Sequence, residues 1–232
     1  MTMGPLLRAS LFAASAPRVL LGRHVGPIGP RPAKRLELYE FEACPFCRKV
    51  REALTMLDLE VLLKPTPRGG ERFRPEGVAR GGKRQFPLLV DPNEDLMLHE
   101  SDAIIAHLYA RYGAGGVPLA MKLGPLNTMT SSLASLPRLG HGRAARPSRA
   151  PAEPLELWSF ELSPYCRLVR ETLCELELPY VLHNLGKQSE RRPALLARAG
   201  KVQVPYLEDP NTGVKMFESE EIVGYLEKTY AI

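Results

Sequence analysis

The sequence predicts an α/β fold made of two tandem copies of one β-α-β-α-β-β-α unit. Two sequence matches support this prediction. The turn Cys44-Pro45-Phe46-Cys47 recurs about 119 residues later as Ser163-Pro164-Tyr165-Cys166. A Gly-Lys-x-Gln-x-Pro segment also recurs, and a Glu-Ser pair follows it each time about 13 residues after the proline. A tandem repeat is therefore expected, with one leading cysteine replaced by serine in the second copy.

Each unit opens with a β-prone run, at 36–41 and at 155–160, followed by the Pro-containing turn and an amphipathic helix. The apolar residues of that helix fall at i, i+4 and i+7, which places them on one helical face. They are Val50, Leu54 and Leu57 in the first copy and Val169, Leu173 and Leu176 in the second. A second strand is expected at 60–63 and at 180–184.

Each unit is then expected to continue with a charged helix, a strand, an Asp-Pro-Asn turn, a partner strand and a closing helix. Ser101 and Ser219 fit helix starts, where acidic residues of the first turn are favoured by the helix dipole. The charged helices are expected at 72–80 and 191–199, the turns at 91–93 and 209–211, and the ends of the closing helices at Tyr112 and Tyr230.

The segment 1–35 carries six Lys/Arg and no acidic residue, and arginines interrupt each of its apolar stretches. Arg-rich, acid-free leaders are typical of import into mitochondria or chloroplasts. We therefore interpret 1–35 as an organellar targeting leader, outside the fold, with the mature protein starting between Arg23 and Arg35.

The two predicted units occupy 36–113 and 154–232. Between them, 114–153 is rich in Gly, Pro, Ser and Ala and shows weak periodicity. This composition predicts a flexible linker.

Composition excludes several function classes. The net charge of +5 comes from the leader and the linker, so the predicted domains are acidic and nucleic-acid binding is not expected. Four cysteines are too few for a secreted disulfide framework, and the scattered histidines offer no zinc-ligand spacing, so no metal is expected. No apolar run approaches the ~20 residues of a membrane-spanning helix, so no transmembrane segment is expected.

The first Cys-x-x-Cys pair is placed for thiol chemistry. Cys44 is expected at the N-terminus of a helix, where free N–H groups and the dipole favour a thiolate. Pro45 suits the first helical position. Cys47 lies nearly one turn further on, within disulfide reach, while Arg48 and Lys49 add positive charge. Cys44 is therefore the predicted attacking thiol and Cys47 the resolving thiol.

Together with Phe86-Pro87 and Glu100-Ser101, this pair resembles the glutaredoxin side of the thioredoxin fold and, more closely, the glutathione S-transferase N-terminal domain. The chain is similar to plant and algal plastid proteins with two such domains in tandem. The resemblance covers 36–113 and 155–232. It implies two tandem thioredoxin-like (glutaredoxin/GST N-terminal) domains without the GST C-terminal helical domain, and it favours the chloroplast over the mitochondrion.

The resemblance also implies that glutathione is the co-substrate, and it assigns roles at matching positions. A cis-proline, Pro87, would follow a residue whose backbone pairs with the cysteinyl part of glutathione. A serine at a helix start would hold the γ-glutamyl carboxylate. The first-unit residues are Lys83 and Gln85 for the glycyl end, Phe86 for the cysteinyl backbone, and Glu100 and Ser101 for the γ-glutamyl group.

The second unit keeps these positions but lacks the attacking sulfur. Ser163 either stabilises the thiolate of bound glutathione, as in serine-type transferases, or belongs to a degenerate, non-catalytic unit. Cys166 matches the resolving position and is expected to be buried, and Cys174 is expected in the core or on the helix surface. The remaining second-site residues are Val204, Pro205, Glu218 and Ser219.

The leading hypothesis is a glutathione-dependent thiol–disulfide oxidoreductase acting on protein or small-molecule disulfides. An alternative is a non-catalytic organellar scaffold or assembly subunit that binds a protein partner through the second domain. A third is weak glutathione transferase chemistry at Ser163. Conjugation of bulky electrophiles is not expected, because the linker is too polar and Pro-rich to replace the missing helical domain.

Overall fold

The two copies each fold into four strands and three helices, in the order predicted from the sequence. The structure is a computed structural model that describes residues 4–18, 21–138 and 140–232. The strands are β1 (Leu36–Glu40), β2 (Glu60–Pro65), β3 (Leu88–Asp91), β4 (Leu96–Leu98), β5 (Leu155–Ser159), β6 (Tyr180–Asn184), β7 (Tyr206–Asp209) and β8 (Val214–Phe217). The helices of the two copies are α2 (Pro45–Met56), α3 (Phe73–Gly81), α4 (Ser101–Tyr112), α7 (Pro164–Glu175), α8 (Arg192–Ala199) and α9 (Ser219–Tyr230).

The eight strands form one continuous sheet in the order β4-β3-β1-β2-β6-β5-β7-β8. Within each half the first two strands are parallel and the hairpin strands are antiparallel. The halves join through antiparallel pairing of β2 with β6, with Glu60 opposite His183 and Leu62 opposite Val181. Because Leu62 and Val181 occupy equivalent positions in the two copies, this register relates the halves by an approximate twofold axis.

One hydrophobic cluster extends across both halves. It includes Leu38, Val50 and Leu54 from the first and Leu157 and Val169 from the second, all fully buried. Helix α4 packs against α2, and α9 packs against α7. The two halves therefore share one core, which the sequence did not resolve.

A buried ionic network lies between the halves. Arg51 on α2 donates to Glu161 of the second half at 2.8 Å, and Arg170 on α7 donates to Glu42 of the first half at 3.1 Å. Arg51 also pairs with Glu40 in its own half. All five side chains are almost completely inaccessible to solvent. Such buried pairs cost desolvation free energy when the protein folds. Removal of one partner would leave the other as an uncompensated buried charge.

The segments expected to lie outside the fold are packed into it. The predicted leader contains helix α1 (Pro5–Ala13), and the predicted linker contains α5 (Leu119–Lys122) and α6 (Gly124–Ser135). Helix α1 packs on α7 of the second half, whereas α6 packs on α2 of the first. This arrangement differs from the expectation that 1–35 lies outside the fold and that 114–153 is a flexible linker. The reason is that these segments supply partners for buried charges.

Those partners are two equivalent arginines, each following its helix. Arg18 donates to Glu52 at 2.8 Å and to the Asn127 carbonyl oxygen at 3.0 Å, while Arg138 donates to Glu171 at 3.1 Å. Gly22 is in the left-handed region with φ of 63°, and a Cβ there would lie 2.9 Å from the Cβ of Glu161. The repeat thus extends into both segments. Within the described residues, no helix is long and apolar enough to cross a membrane.

Candidate functional site

The Cys-x-x-Cys pair lies where β1 passes into α2. Cys44 is the N-cap residue, with extended backbone, and its sulfur accepts the backbone N–H of Cys47 at 3.3 Å. Pro45 occupies the first turn, where no intrahelical N–H is required. Cys44 is 4% exposed and Cys47 is fully buried. No disulfide joins the two cysteines.

The two thiols differ in acidity. A hydrogen bond from the Cys47 thiol lowers the pKa of Cys44, and the backbone N–H groups of Cys47 and Phe46 add to this against the effect of burial. Burial raises the pKa of Cys47 well above its ordinary value, and its hydrogen bond to Cys44 acts in the same direction. The thiol at the helix N-terminus is therefore the more acidic of the two, and the fully buried thiol is the less acidic.

The basic residues after the pair do not act as the sequence predicts. Arg48 is buried, donates to the Ala14 carbonyl oxygen at 2.9 Å and lies 3.4 Å from a Glu52 carboxylate oxygen. Lys49 pairs with Asp102 on α4. Because both charges have protein partners, the acidity of Cys44 depends on the helix cap and on Cys47 instead.

The Phe86–Pro87 peptide bond is cis, as is the equivalent Val204–Pro205 bond. Phe86 belongs to a small cluster with Cys44 and Cys47, so this loop lies against the dithiol. His99 holds the same loop, because its two ring nitrogens contact the carbonyl oxygens of Gln85 at 3.1 Å and Gly81 at 3.0 Å. Sequence reasoning missed His99, since an isolated histidine carries no positional signal.

The Glu-Ser pair begins α4. Gln85 donates to the Glu100 carboxylate at 2.5 Å, which joins two predicted glutathione-binding residues. Glu100 has φ of 67°, an unfavourable conformation for a non-glycine residue that surrounding structure must impose. Ser101 is the first residue of α4 and is buried. Lys83 is exposed on the preceding loop.

We call Cys44–Cys47 the first slot and the equivalent Ser163–Cys166 the second slot. The second slot has the same local backbone geometry as the first but lacks the leading sulfur. Ser163 is the N-cap residue of α7, and its hydroxyl accepts the Cys166 N–H at 3.2 Å. Cys166 is fully buried, in agreement with prediction. Cys174 is buried between the halves, where it contacts the Glu42 N–H at 3.4 Å, and burial raises its pKa. Both cysteines of the second half are therefore buried.

Four of the six predicted residues of the second unit line a cleft of about 610 Å³. Gln203 donates to Glu218 at 2.5 Å, which repeats the first-unit contact, and Glu218 again has a positive φ, of 66°. The cleft residues foreseen from the sequence are Val204, Pro205, Glu218 and Ser219. Ser163 and Cys166 are not among the residues that line it.

Five further lining residues of this cleft were not foreseen, namely Arg8, Tyr165, Gln203, Glu220 and Glu221. Arg8 comes from α1, and Tyr165 from the slot itself, where its ring meets Phe12 edge-on with centroids 6.0 Å apart. The equivalent contact in the first half is made by α6, where Ser131 donates to the Pro45 carbonyl oxygen at 2.7 Å. The sequence signal for the contacts of α1 and α6 was an x-Pro-Arg triplet that follows each helix and ends at Arg18 and at Arg138.

No group of three or more His, Cys, Asp or Glu side chains within the described parts of the chain is arranged to hold a metal ion. The arrangement instead offers one acidic thiol, one protonated thiol and two helix starts with serine. These are groups that exchange disulfides and bind carboxylates.

The family model described as Glutathione S-transferase, N-terminal domain, matches residues 38–116 and again residues 157–231. No curated protein sequence matches the chain. A solved structure of the Bombyx mori glutathione transferase BmGSTD1 is 28% identical over 37% of this chain, with a TM-score of 0.33. The matched part spans 39% of that transferase. Because the family model covers most of the sequence in two segments, the chain belongs to the glutathione S-transferase N-terminal domain family.

Proposed function

We propose that this protein is a glutathione-dependent thiol–disulfide oxidoreductase in which Cys44 is the nucleophile and Cys47 the resolving thiol. The observation that carries the proposal is the position of the two thiols, because Cys44 caps α2 with its sulfur accepting the Cys47 N–H at 3.3 Å, while Cys47 is fully buried. The pKa of Cys44 is lowered by the Cys47 hydrogen bond, whereas the pKa of Cys47 is raised by burial. An attacking thiolate and a resolving thiol held in reserve are what the reaction needs.

In the proposed reaction the Cys44 thiolate attacks the glutathionyl sulfur of a mixed disulfide. A bond forms between Cys44 and that sulfur, the original disulfide breaks, and the substrate thiolate leaves and takes a proton from water. A second glutathione thiolate then attacks the bound glutathionyl sulfur. Oxidised glutathione leaves and Cys44 is restored. Alternatively, Cys47 loses its proton and attacks the Cys44 sulfur, which releases glutathione and leaves a Cys44–Cys47 disulfide.

Glutathione binding is supported by groups that suit its charges. Ser101 at the start of α4 offers a hydroxyl and a helix N-terminus to a carboxylate. The Gln85–Glu100 pair offers an acceptor for an ammonium group next to it. Phe86, which precedes the cis peptide bond, packs in one cluster with both cysteines, and Gln85 joins the same loop to Glu100 before the helix start. We assign these residues to the γ-glutamyl and cysteinyl parts of glutathione.

The test is reduction of a glutathione mixed disulfide, coupled to glutathione and glutathione reductase. Cys44→Ser is expected to lower turnover at least a thousandfold, because the hydroxyl is not ionised at neutral pH. Ser163→Ala is the matched control, since it removes the equivalent cap atom, and is expected to leave turnover within a factor of two. Turnover in Cys44→Ser equal to the parent protein would refute the proposal.

A second candidate, glutathione transfer in the second half, is favoured by one observation: the cleft of about 610 Å³ lies there. In that case Ser219 in the cleft would bind the γ-glutamyl carboxylate of glutathione, and the thiolate would extend beyond the cleft to Ser163, two positions before the lining residue Tyr165. Isothermal titration with glutathione distinguishes the candidates. Loss of binding in Ser219→Ala but not in Ser101→Ala supports the second.

A further inference from the structure

Two arginines flank Phe86, the residue that packs against the dithiol. Arg74 lies in the first turn of α3, and its guanidinium carbon is 5.1 Å from the centre of the Phe86 ring. Phe86 in turn belongs to one buried cluster with Cys44 and Cys47. Arg84 precedes Phe86 by two residues on the same loop and is exposed. Both cations therefore lie beside the first slot.

Two more arginines lie on neighbouring segments. The Arg68 N–H donates to the Arg143 carbonyl oxygen at 2.7 Å, and the carbonyl oxygen of the preceding Gly142 accepts the Ala43 N–H at 3.1 Å. Ala43 immediately precedes the first slot. Arg68 is exposed and Arg143 is partly buried. We give the name arginine cluster to the side chains of Arg68, Arg74, Arg84 and Arg143.

The charges of the arginine cluster repel one another. Nη1 of Arg74 donates to the Thr66 carbonyl oxygen at 2.7 Å, whereas its Nε is buried without a partner. Burial lowers the pKa of Arg74, and the charges of Arg84 and Arg68 lower it further. The negative charge of a Cys47 thiolate acts in the opposite direction, so the dithiol is within electrostatic range. Arg74 also lies at the positive end of the α3 dipole, where a cation is disfavoured. An anionic acceptor from outside the chain would relieve this repulsion.

Acidic side chains near the arginine cluster are engaged with other groups. They are Glu76, which pairs with Lys64, Glu100, which accepts from Gln85, Glu175, which pairs with Arg146, and Glu71, which lines a groove with Arg72 and Ser148. Glu40 and Glu42 belong to the buried ionic network. Within the described residues, none of the four arginine side chains forms an ion pair. The arginine cluster therefore keeps an excess of positive charge beside the dithiol.

Half of the arginine cluster is specific to the half of the molecule that has the dithiol. The equivalent residues are Lys187 for Arg68, Arg23 for Arg143, Pro193 for Arg74 and Val202 for Arg84. The cations at 68 and 143 thus have cationic counterparts, whereas those at 74 and 84 have none. Because the second slot also lacks the attacking sulfur, the two additional cations accompany the reactive site.

We propose that the arginine cluster binds acidic side chains of the disulfide substrate, so that the preferred substrates are glutathionylated cysteines flanked by Asp or Glu in a peptide or protein. This inference rests on the proposed function for its chemistry. The Cys44 thiolate attacks the glutathionyl sulfur, a bond forms between the two sulfurs, and the substrate thiolate leaves and takes a proton from water. Arginine suits the role because its planar guanidinium pairs with a carboxylate through two hydrogen bonds. A cationic surface also raises the encounter rate with an anionic partner.

The first measurement is kcat/KM for two glutathionylated peptides that differ only in carrying Glu or Gln on both sides of the cysteine. The parent protein is expected to prefer the acidic peptide at least about tenfold at low salt, and the preference should fall towards one at about 0.5 M salt. Arg84→Gln should lower the preference about threefold, and R74Q/R84Q should lower it to less than about twofold. Arg84 is exposed and has no side-chain partner, so its replacement leaves the fold intact.

Lys187→Gln is the matched control, because it removes an equivalent exposed cation from the second half, and it is expected to keep the parental preference. A parental preference near one, or an unchanged preference in R74Q/R84Q, would overturn the proposal. An equal loss of kcat/KM for both peptides would overturn it too, since the arginines would then bind glutathione itself.

A second measurement separates this proposal from the proposed function. Fluorescence anisotropy reports binding of the Cys44→Ser protein to a labelled acidic peptide whose cysteine is methylated and therefore unreactive. The Gln peptide is expected to bind at least about threefold more weakly, and C44S/R84Q should lose about the same factor for the acidic peptide. Selective binding without turnover in the parent would support the arginine cluster and refute the oxidoreductase. Turnover with equal binding of both peptides would refute the arginine cluster alone.

Discussion

Equivalent backbone positions in the two halves hold Cys44 and Ser163, and each accepts the N–H of the residue three positions later, at 3.3 and 3.2 Å. The surroundings differ more than the cap does. Below the first slot the last residue of β1 is Glu40, a fully buried acid, whereas its counterpart at the end of β5 is Ser159. The helix cap thus has the same geometry whether the capping residue is cysteine or serine. A buried acid at the end of the preceding strand, by contrast, is present only in the half that has the dithiol.

If the cap alone makes a thiol acidic, the second slot should become reactive when it receives one. Ser163→Cys is expected to place a second alkylatable cysteine, besides Cys44, at position 163 at pH 7, because the Cys166 N–H donor is already in place. Since Ser159 brings no charge, the pKa of the new thiol should not exceed that of Cys44. Mass spectrometry after iodoacetamide treatment measures the modification, and Ser189→Cys, a buried serine outside the slot, is the control.

The ionic network allows a stability comparison between equivalent arginines. Arg51 pairs with three carboxylates, those of Glu40, Glu42 and Glu161, whereas Arg170 pairs with the last two. Arg51→Met should lower the free energy of unfolding by about 3–5 kcal/mol, because buried carboxylates lose their partner. Arg170→Met should cost less.

Urea unfolding measures both losses. Arg111→Met is the control, because Arg111 and its partner Glu94 lie at the surface, and is expected to change stability by less than about 0.5 kcal/mol. An equal or larger loss in Arg170→Met would show that the third carboxylate does not distinguish the halves.

The Glu40/Ser159 difference can be tested through thiol acidity. Burial raises the pKa of Glu40 to about 7, with Arg51 opposing, and the carboxylate in turn raises the pKa of Cys44. Glu40→Ser, which installs the residue of the second half, should therefore shift the pKa of Cys44 downward. The alkylation rate of Cys44 against pH reports this shift, and Ser159→Ala should leave the profile unchanged. An upward shift would contradict the assigned sign.

The smallest expected effect concerns the strand pair that joins the halves. His183 stacks on Trp158 at 4.1 Å, and although burial opposes it, Glu156 and Glu60 raise the pKa of His183. A raised folded pKa contributes stability that is fully present below pH 6.5 and is lost as pH rises through the folded value. We expect less than about 1 kcal/mol, because the site is near the surface.

Trp158 is the single tryptophan of the chain, so its emission reports this titration directly. The midpoint is expected above pH 6.5, and His183→Gln should abolish it. The first half has Lys64 at this position, over Tyr39, and the pKa of Lys64 is raised by its partners, so no equivalent transition is expected there. A His183 titration midpoint below pH 6.5 would contradict the assigned effect of Glu156 and Glu60 on its pKa.

The regular elements were predictable because their signals are local. Apolar spacing located α2 and α7, and the Asp-Pro-Asn turns located the hairpins, where Asp91 accepts the Asn93 N–H at 2.9 Å. The predicted strand at 180–184 coincides with β6. Both cis-prolines also followed from the resemblance to a known family.

The packed leader and linker were not predictable in the same way, because their inner faces are polar. Ser131 and Asn127 look like linker residues until Arg18 and the Pro45 carbonyl oxygen are known to lie against them. Arg48 illustrates the same limit, since it forms an ion pair with Glu52 rather than with the Cys44 thiolate. The partners of Ser131 and Asn127 are distant in sequence, and Arg48 also donates to the distant Ala14 carbonyl oxygen. Import into an organelle remains a prediction.

The pairing of β2 with β6 has a consequence for solubility. The free edges of the sheet are β4 and β8, which have only three and four residues, while the longer β2 is closed off at the centre. An isolated half would present β2 or β6 as an unpaired edge, a template for pairing with other chains. Proteolysis between the halves should therefore produce fragments that aggregate, or reassemble with each other, rather than two independent domains.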